Sequence, residues 1–173
     1  ALYPEKSQEL FFNRKVSTFF DNPETVRPRS EKYLLYNGQP RQLHSLLLDS
    51  AKKEMLRKRQ INPHFLRTLQ GEGQVYYTTL AVKLLCLAVN KLASLDAAGV
   101  GIEMEANKPN WFDSLNGLPA LFGSSTCETF ELKRLLKKIK EALSNSTEQE
   151  IQMPEEIAWF IQQLHGIFKE EPF

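Results

Sequence analysis

"YYTTLAVKLLCLAVNKLASLD", residues 76–96, decides the class of this protein. Leu80, Leu84, Leu85, Leu87, Ala88 and Leu92 recur at helical spacing and cover much of a helix circumference, while Lys83 and Asn90, a heptad apart, share the remaining polar strip. The run predicts one helix over about residues 75–95, placed in the interior of a layered helical array. It does not read as a membrane span, because Lys83, Asn90 and Lys91 would be penalised at a bilayer centre.

Three further helices are expected around it. From residue 46 to residue 59, Leu47, Leu48, Ala51, Met55 and Leu56 make an apolar stripe that ends before Pro63. The five basic residues of "AKKEMLRKR", residues 51–59, fall largely on the other side. With no recognition motif or stacking aromatics beside them, they read as a solvated face and not as a nucleic-acid footprint. Ser125 and Glu128 fit a capping box at the start of a helix carrying Leu132, Leu135, Leu136, Ile139 and Leu143. The last helix opens at Pro154, with Glu155 and Glu156 at its positive end and Ile157, Phe160, Ile161, Leu164 and Phe168 on its buried side.

Asn37 and Gly38, between the runs of "KYLLYNGQPRQLHSL", are the one strong hairpin signal, and no second strand pair is expected. In "QGEGQ", Gly71 and Gly73 allow a sharp reversal. Residues 1–30 carry three prolines and the aromatic pairs Phe11, Phe12 and Phe19, Phe20, which reads as an irregular docking segment. The class is therefore mainly α with a small β-hairpin.

The bulk numbers agree with a globular chain. At 173 residues with 42% apolar content, 11 Phe, 5 Tyr and 2 Trp, there is material for a core. Lys plus Arg is 22 against 21 for Asp plus Glu, so the net charge of +1 supplies no general field for nucleic acid or an anionic membrane. Two cysteines are too few for a disulfide framework, and three distant histidines offer no metal-ligand spacing. No signal peptide is visible at the start, so a reducing, cytoplasmic setting with no membrane partner is the expectation.

Residues 99–124 keep no helical or strand period for about twenty positions, which marks a candidate functional loop. Glu103 and Glu105 alternate about Met104, so in extended backbone their carboxylates point the same way. Asp113 follows Trp111 and Phe112, and Asn107, Asn110 and Asn116 surround it with amides. Rings that cover a sugar face, amides that reach hydroxyls and a carboxylic acid that protonates a leaving oxygen are the parts of a carbohydrate site. The bland alternative is that Trp111, Phe112, Leu115, Leu118 and Phe122 anchor a connection while the asparagines close turns.

From residue 99 to 136, "GVGIEMEANKPNWFDSLNGLPALFGSSTCETFELKRLL" resembles the catalytic-loop region of the cellobiose phosphorylase family and its relatives among helical-toroid glycosidases. In that family a Gly-rich lead-in reaches a D-W-N-D-G-M-N motif before the next barrel helix. "PNWFDSLN", residues 109–116, matches it at Trp111, Asp113 and Asn116. It departs where the family's first aspartate meets Pro109 or Asn110, its asparagine Phe112, and its glycine Ser114.

The resemblance implies that Asp113 is the general acid and Trp111 part of the subsite wall; the loop's own polar and charged residues add Asn110, Asn116, Glu105 and Lys108 as candidate substrate-binding residues. It implies inverting cleavage of a disaccharide or oligosaccharide, by inorganic phosphate as co-substrate or by water, with no organic cofactor and no metal. Glu103 and Glu105 are the candidate bases if water attacks. A toroid has twelve helices in two rings and four are expected here. Residues 1–173 would then be one segment of a larger (α/α)6 catalytic domain, partnered by the remainder of a parent chain or by a second copy. The absence of an initiator Met fits that expectation. The competing class is a non-catalytic helical protein-interaction module that docks through the phenylalanine pairs.

Overall fold

The computed structural model describes residues 6–42, 45–96, 99, 101–103, 124–146 and 150–170. The elements are β1 (Glu24–Val26), α1 (Arg29–Lys32), β2 (Tyr33–Tyr36), β3 (Gln39–Gln42), β4 (Leu46–Leu48), α2 (Ser50–Lys58), α3 (Leu80–Leu92), β5 (Ile102–Glu103), β6 (Ser124–Ser125), α4 (Thr126–Ser144) and α5 (Glu155–Glu170). A π-helix at Glu9–Asn13 and a 3-10 turn at Leu69–Gly71 complete them. The fold is mainly helical, with three two-stranded antiparallel sheets among the described residues. The chain divides into two compact units.

The first unit takes residues up to 19, residues 66–94 and residues from 127 onward. Its centre is α3, which packs against α5 and the π-helix. Thr79 caps α3, its hydroxyl accepting from Val82 N at 3.5 Å. Helix geometry then puts Ala81, Val82, Ala88 and Val89 on one face, and all four are buried. Leu87, expected among the core residues, is 49% exposed, so small residues line the buried face and the bulkier leucines flank it. The helix is shorter than the periodicity predicted. Residues 75–79 lie outside the helix, with Val75 and Thr78 in isolated antiparallel bridges, and Thr78 exchanges backbone hydrogen bonds with Ser17 at 2.7 and 3.0 Å.

Before α3, the chain reverses between Arg67 and Val75. Leu69, Gln70 and Gly71 all take positive φ there, and Thr68 N donates to Gln74 O at 3.0 Å. Gly73 is required by proximity, since a Cβ there would lie 2.9 Å from the Thr68 carbonyl oxygen. In α4 the expected stripe is narrower than its leucines suggest. Leu132 and Ile139, seven residues apart, are buried, while Leu136 and Leu143 are each 39% exposed. Lys91 of α3 pairs with Glu128 of α4 at 2.9 Å. The α5 stripe is half-buried from Ile157 to Phe168, and Trp159 and Ile167 face outward. Pro154 stands just outside that helix, its carbonyl accepting from Ala158 N at 3.2 Å.

The second unit takes residues 20–65 and 95–126. Asn37 and Gly38, with φ of 51° and 74°, form the turn that joins β2 to β3, in the register Tyr36↔Gln39, as the sequence predicts. Two further strand pairs correct the expectation of a single hairpin. Leu46–Leu48, read from the sequence as the first turn of a helix, is β4 and pairs with β1 in the register Val26↔Leu46 to Glu24↔Leu48. A run of three leucines suits either period, and pairing with a distant strand decided between them. The helix begins after Asp49, whose side chain accepts from Lys52 N at 2.9 Å. Leu56 on α2 and Ile102 on β5 are the unit's buried apolar residues among those described.

Candidate functional site

Asp113, Trp111, Asn110, Asn116, Glu105 and Lys108 lie outside the described residues. The structure does describe the base of the loop that carries them. The lead-in turns at Asp96, whose carboxylate accepts from Gly101 N at 3.0 Å. Its backbone N–H donates to Gly101 O at 2.9 Å, and its carbonyl accepts from Gly99 N at 3.0 Å. Gly99 takes a φ of 67°, a conformation that glycine adopts without strain. This reversal lays Ile102 beside Leu95, and Ile102 is 1% exposed, so the entry to the loop is anchored in the unit's core.

The exit is fixed by β6. Ile102 pairs with Ser125 and Glu103 with Ser124, so the chain leaves and returns at adjacent positions. Helix α4 starts at the next residue, Thr126, which puts Ser125 at its N-cap position and Glu128 at its third residue, where the capping-box spacing predicts them.

Glu103 has a different part from the one its spacing suggested. Its side chain is 9% exposed, and Oε2 faces Lys32 Nζ at 3.5 Å and Arg29 Nη2 at 3.6 Å. Arg29 also donates from Nη2 to the Leu95 carbonyl at 2.7 Å. Lys32 is itself 9% exposed. Engaged and nearly buried, Glu103 ties α1 to β5, which argues against a base waiting for a water. Nothing in the sequence signals this cluster, since 71 residues separate Lys32 from Glu103.

A second ionic cluster lies in the same unit. Asp21, with 2% of its side chain exposed, meets Lys52 Nζ at 2.7 Å and Arg59 Nη1 at 2.9 Å. Arg59 Nη1 also donates to Pro63 O at 2.8 Å and to Phe65 O at 3.3 Å. Burial pushes the Asp21 carboxyl up, but the hydrogen bonds and charges of Lys52 and Arg59 outweigh it and hold it below the usual carboxylate range. The Asp21 carbonyl faces His64 Nδ1 at 3.1 Å, and the His64 ring stacks on Phe20 with centroids 4.8 Å apart. Two members of the basic run 51–59 are thus spent on one buried carboxylate, while Arg57 pairs with Glu54 at 2.9 Å on the exposed side.

The phenylalanine pairs are mostly packed. Phe11, Phe12 and Phe19 are half-buried, Phe19 stacks on Tyr76 at 6.3 Å, and Phe20 alone among the four is exposed. Among the described residues, no three His, Cys, Asp or Glu side chains gather as a metal site would need, and no helix is long and apolar enough to cross a membrane. No protein family, curated protein or solved structure matches the chain.

Proposed function

We propose that this chain is the catalytic-loop segment of a carbohydrate-active enzyme of the helical-toroid class, in which Asp113 protonates the oxygen of a glycosidic bond. The observation that supports the reading is the closure of the loop. The strands that flank residues 104–123 in sequence, β5 and β6, pair with each other, and helix α4 begins directly after β6. A long excursion pinned at its base and backed by a helix start is a means of presenting side chains. It has the same order of parts as the motif that "PNWFDSLN" resembles.

In the reaction proposed, the Asp113 proton passes to the glycosidic oxygen as the bond from that oxygen to the anomeric carbon breaks. An oxygen of phosphate, or of water, forms the new bond to that carbon from the opposite face, which inverts its configuration. Phosphorolysis yields a sugar phosphate and a free sugar. Trp111 and Phe112 beside the acid would disfavour its charged form and keep it protonated near neutral pH. With a phosphate nucleophile no carboxylate base is needed, which agrees with Glu103 being tied into the base of the loop.

The test is Asp113→Asn in the protein that carries this segment, assayed with disaccharides for sugar release with and without inorganic phosphate. A loss of about 10²–10⁴-fold in kcat with an unchanged far-ultraviolet circular dichroism spectrum is expected. Unchanged turnover would refute the assignment.

A second reading, a non-catalytic interaction module, draws support from the β2–β3 hairpin. Tyr33, Leu34, Leu35 and Tyr36 are all exposed, Leu35 by 76%. On that reading Asp113→Asn is silent, and deleting the first twenty residues changes the oligomeric state measured by light scattering.

A further inference from the structure

We infer that β2 is a strand-pairing edge through which two copies of this chain join, antiparallel, into one sheet in the order β3–β2–β2–β3. The two-residue turn at Asn37 and Gly38 makes Tyr36 and Gln39 the closing hydrogen-bonded pair of the hairpin. Alternation then bonds Leu34 to Arg41 and turns the N–H and C=O groups of Tyr33 and Leu35 outward, away from β3. Among the described residues no strand but β3 pairs with β2, and no hydrogen bond reaches those outward groups.

The far edge of the hairpin is closed. Pro40 stands opposite Leu35, so its nitrogen faces outward from β3 and offers no donor. By contrast, Tyr33–Tyr36 has no charge, no proline and no bulge, the devices that keep an edge strand from pairing. The charge that precedes it, Lys32, is turned to Glu103. Side chains alternate between the faces of a strand, so Tyr33 and Leu35 lie on one and Leu34 and Tyr36 on the other, and all four are exposed. A two-stranded hairpin with neither face covered is marginal by itself and is stabilised by further strands.

Symmetry points to a second copy as the occupant. Across an antiparallel pair, outward-facing residues must meet outward-facing residues. The register that uses both sets Leu35 against Tyr33 of the second copy, and the reverse, with Leu34 meeting its own counterpart at the two-fold axis. An uncharged strand meets itself without like-charge repulsion. Because Pro40 closes the far edge of each hairpin, growth stops at the dimer and does not run on into a fibre. Such a dimer uses no residue of the 99–124 loop and is independent of the carbohydrate reading.

Sedimentation velocity of the 173-residue chain over about two decades of concentration should show a reversible monomer–dimer equilibrium. Leu35→Pro removes an outward N–H but no bond within the hairpin, and should weaken dimerisation about tenfold. Leu34→Lys sets like charges face to face at the axis and should weaken it about tenfold or more, and mixing it with Leu34→Glu should restore a dimer holding one of each. A chain that stays monomeric at every concentration overturns the inference and leaves the edge to a strand of another protein. So does a dimer that Leu34→Lys and Leu35→Pro both leave unchanged, or a mixture that yields no mixed dimer. If such an unchanged dimer is lost on deleting the first twenty residues, the contact belongs to the phenylalanine segment. Should Leu35→Pro fail to fold by far-ultraviolet circular dichroism, the charge swap at exposed Leu34 carries the test.

Discussion

Asp21 is the buried carboxylate that holds Lys52 and Arg59 together in the second unit. Removing its charge leaves Arg59, whose side chain is 7% exposed, and Lys52 facing each other without an anion between them. Breaking such a pair on one side is strongly destabilising, so Asp21→Asn should lower stability by about 3 kcal/mol in urea unfolding, the carbonyls of Pro63 and Phe65 retaining part of the Arg59 interactions. The pH dependence has a definite sign. A carboxyl held below its ordinary value in the folded state stabilises above the unfolded value, near 3.9, and that contribution is lost as pH falls through the folded value. The gap between the parent and Asp21→Asn should therefore be constant between about pH 5 and about pH 7 and close below about pH 4. Cysteine chemistry gives a second check at this scale. Burial pushes the half-buried Cys86 thiol up, against a smaller lowering by its hydrogen bond from Asn90, whereas Cys127 is exposed. A thiol reagent at neutral pH should label Cys127 first, with Cys86 slower by about tenfold or more.

Two glycines separate the costs that decide an element's turns. At Gly38 nothing lies within 4 Å of an added Cβ, so Gly38→Ala meets only the strain of its φ of +74° and should cost about 1 kcal/mol. At Gly73 the added carbon would collide with the Thr68 backbone, whose carbonyl also receives Gly73 N at 2.9 Å. Gly73→Ala should therefore cost more, about 1–3 kcal/mol, because the backbone has to shift. Asp49→Ala, which removes the cap of α2, should cost about 1 kcal/mol, and all three are measured by the same urea unfolding series. The hairpin turn, the Gly71–Gly73 reversal and the existence of all four long helices were legible in the sequence, because each depends on neighbours within a few positions. Leu46–Leu48 was not, since its partner strand lies about twenty residues away and three leucines carry no period of their own. Strands of two or three residues fall below the length at which alternation can be seen.

At the scale of the molecule, neither unit is a continuous stretch of chain. The first is completed only when α4 and α5 arrive from the last third of the sequence, and α3 packs against α5. A chain ending at residue 126 should therefore leave the amides of α3 without slow hydrogen exchange, whereas in the whole protein those around Val82 and Ala88 should be among the best protected. The same discontinuity governs the candidate site. The extent of the loop, its glycine-rich entry and the helix that follows it were readable from residues 99–128, since absence of period, glycine pairs and a capping box are local signals. The closure of that loop by Ile102–Glu103 on Ser124–Ser125 was not, and neither was the meeting of Arg29, Lys32 and Glu103. By itself the sequence determined the helical class, the turns and the stretch where chemistry is to be sought, because backbone preference and apolar period act over a turn or two of chain. Only the tertiary structure decided which distant strands pair and which charges share a buried oxygen, because those choices depend on closing gaps of roughly twenty to seventy residues, and residue spacing along a chain holds no record of which distant groups will meet.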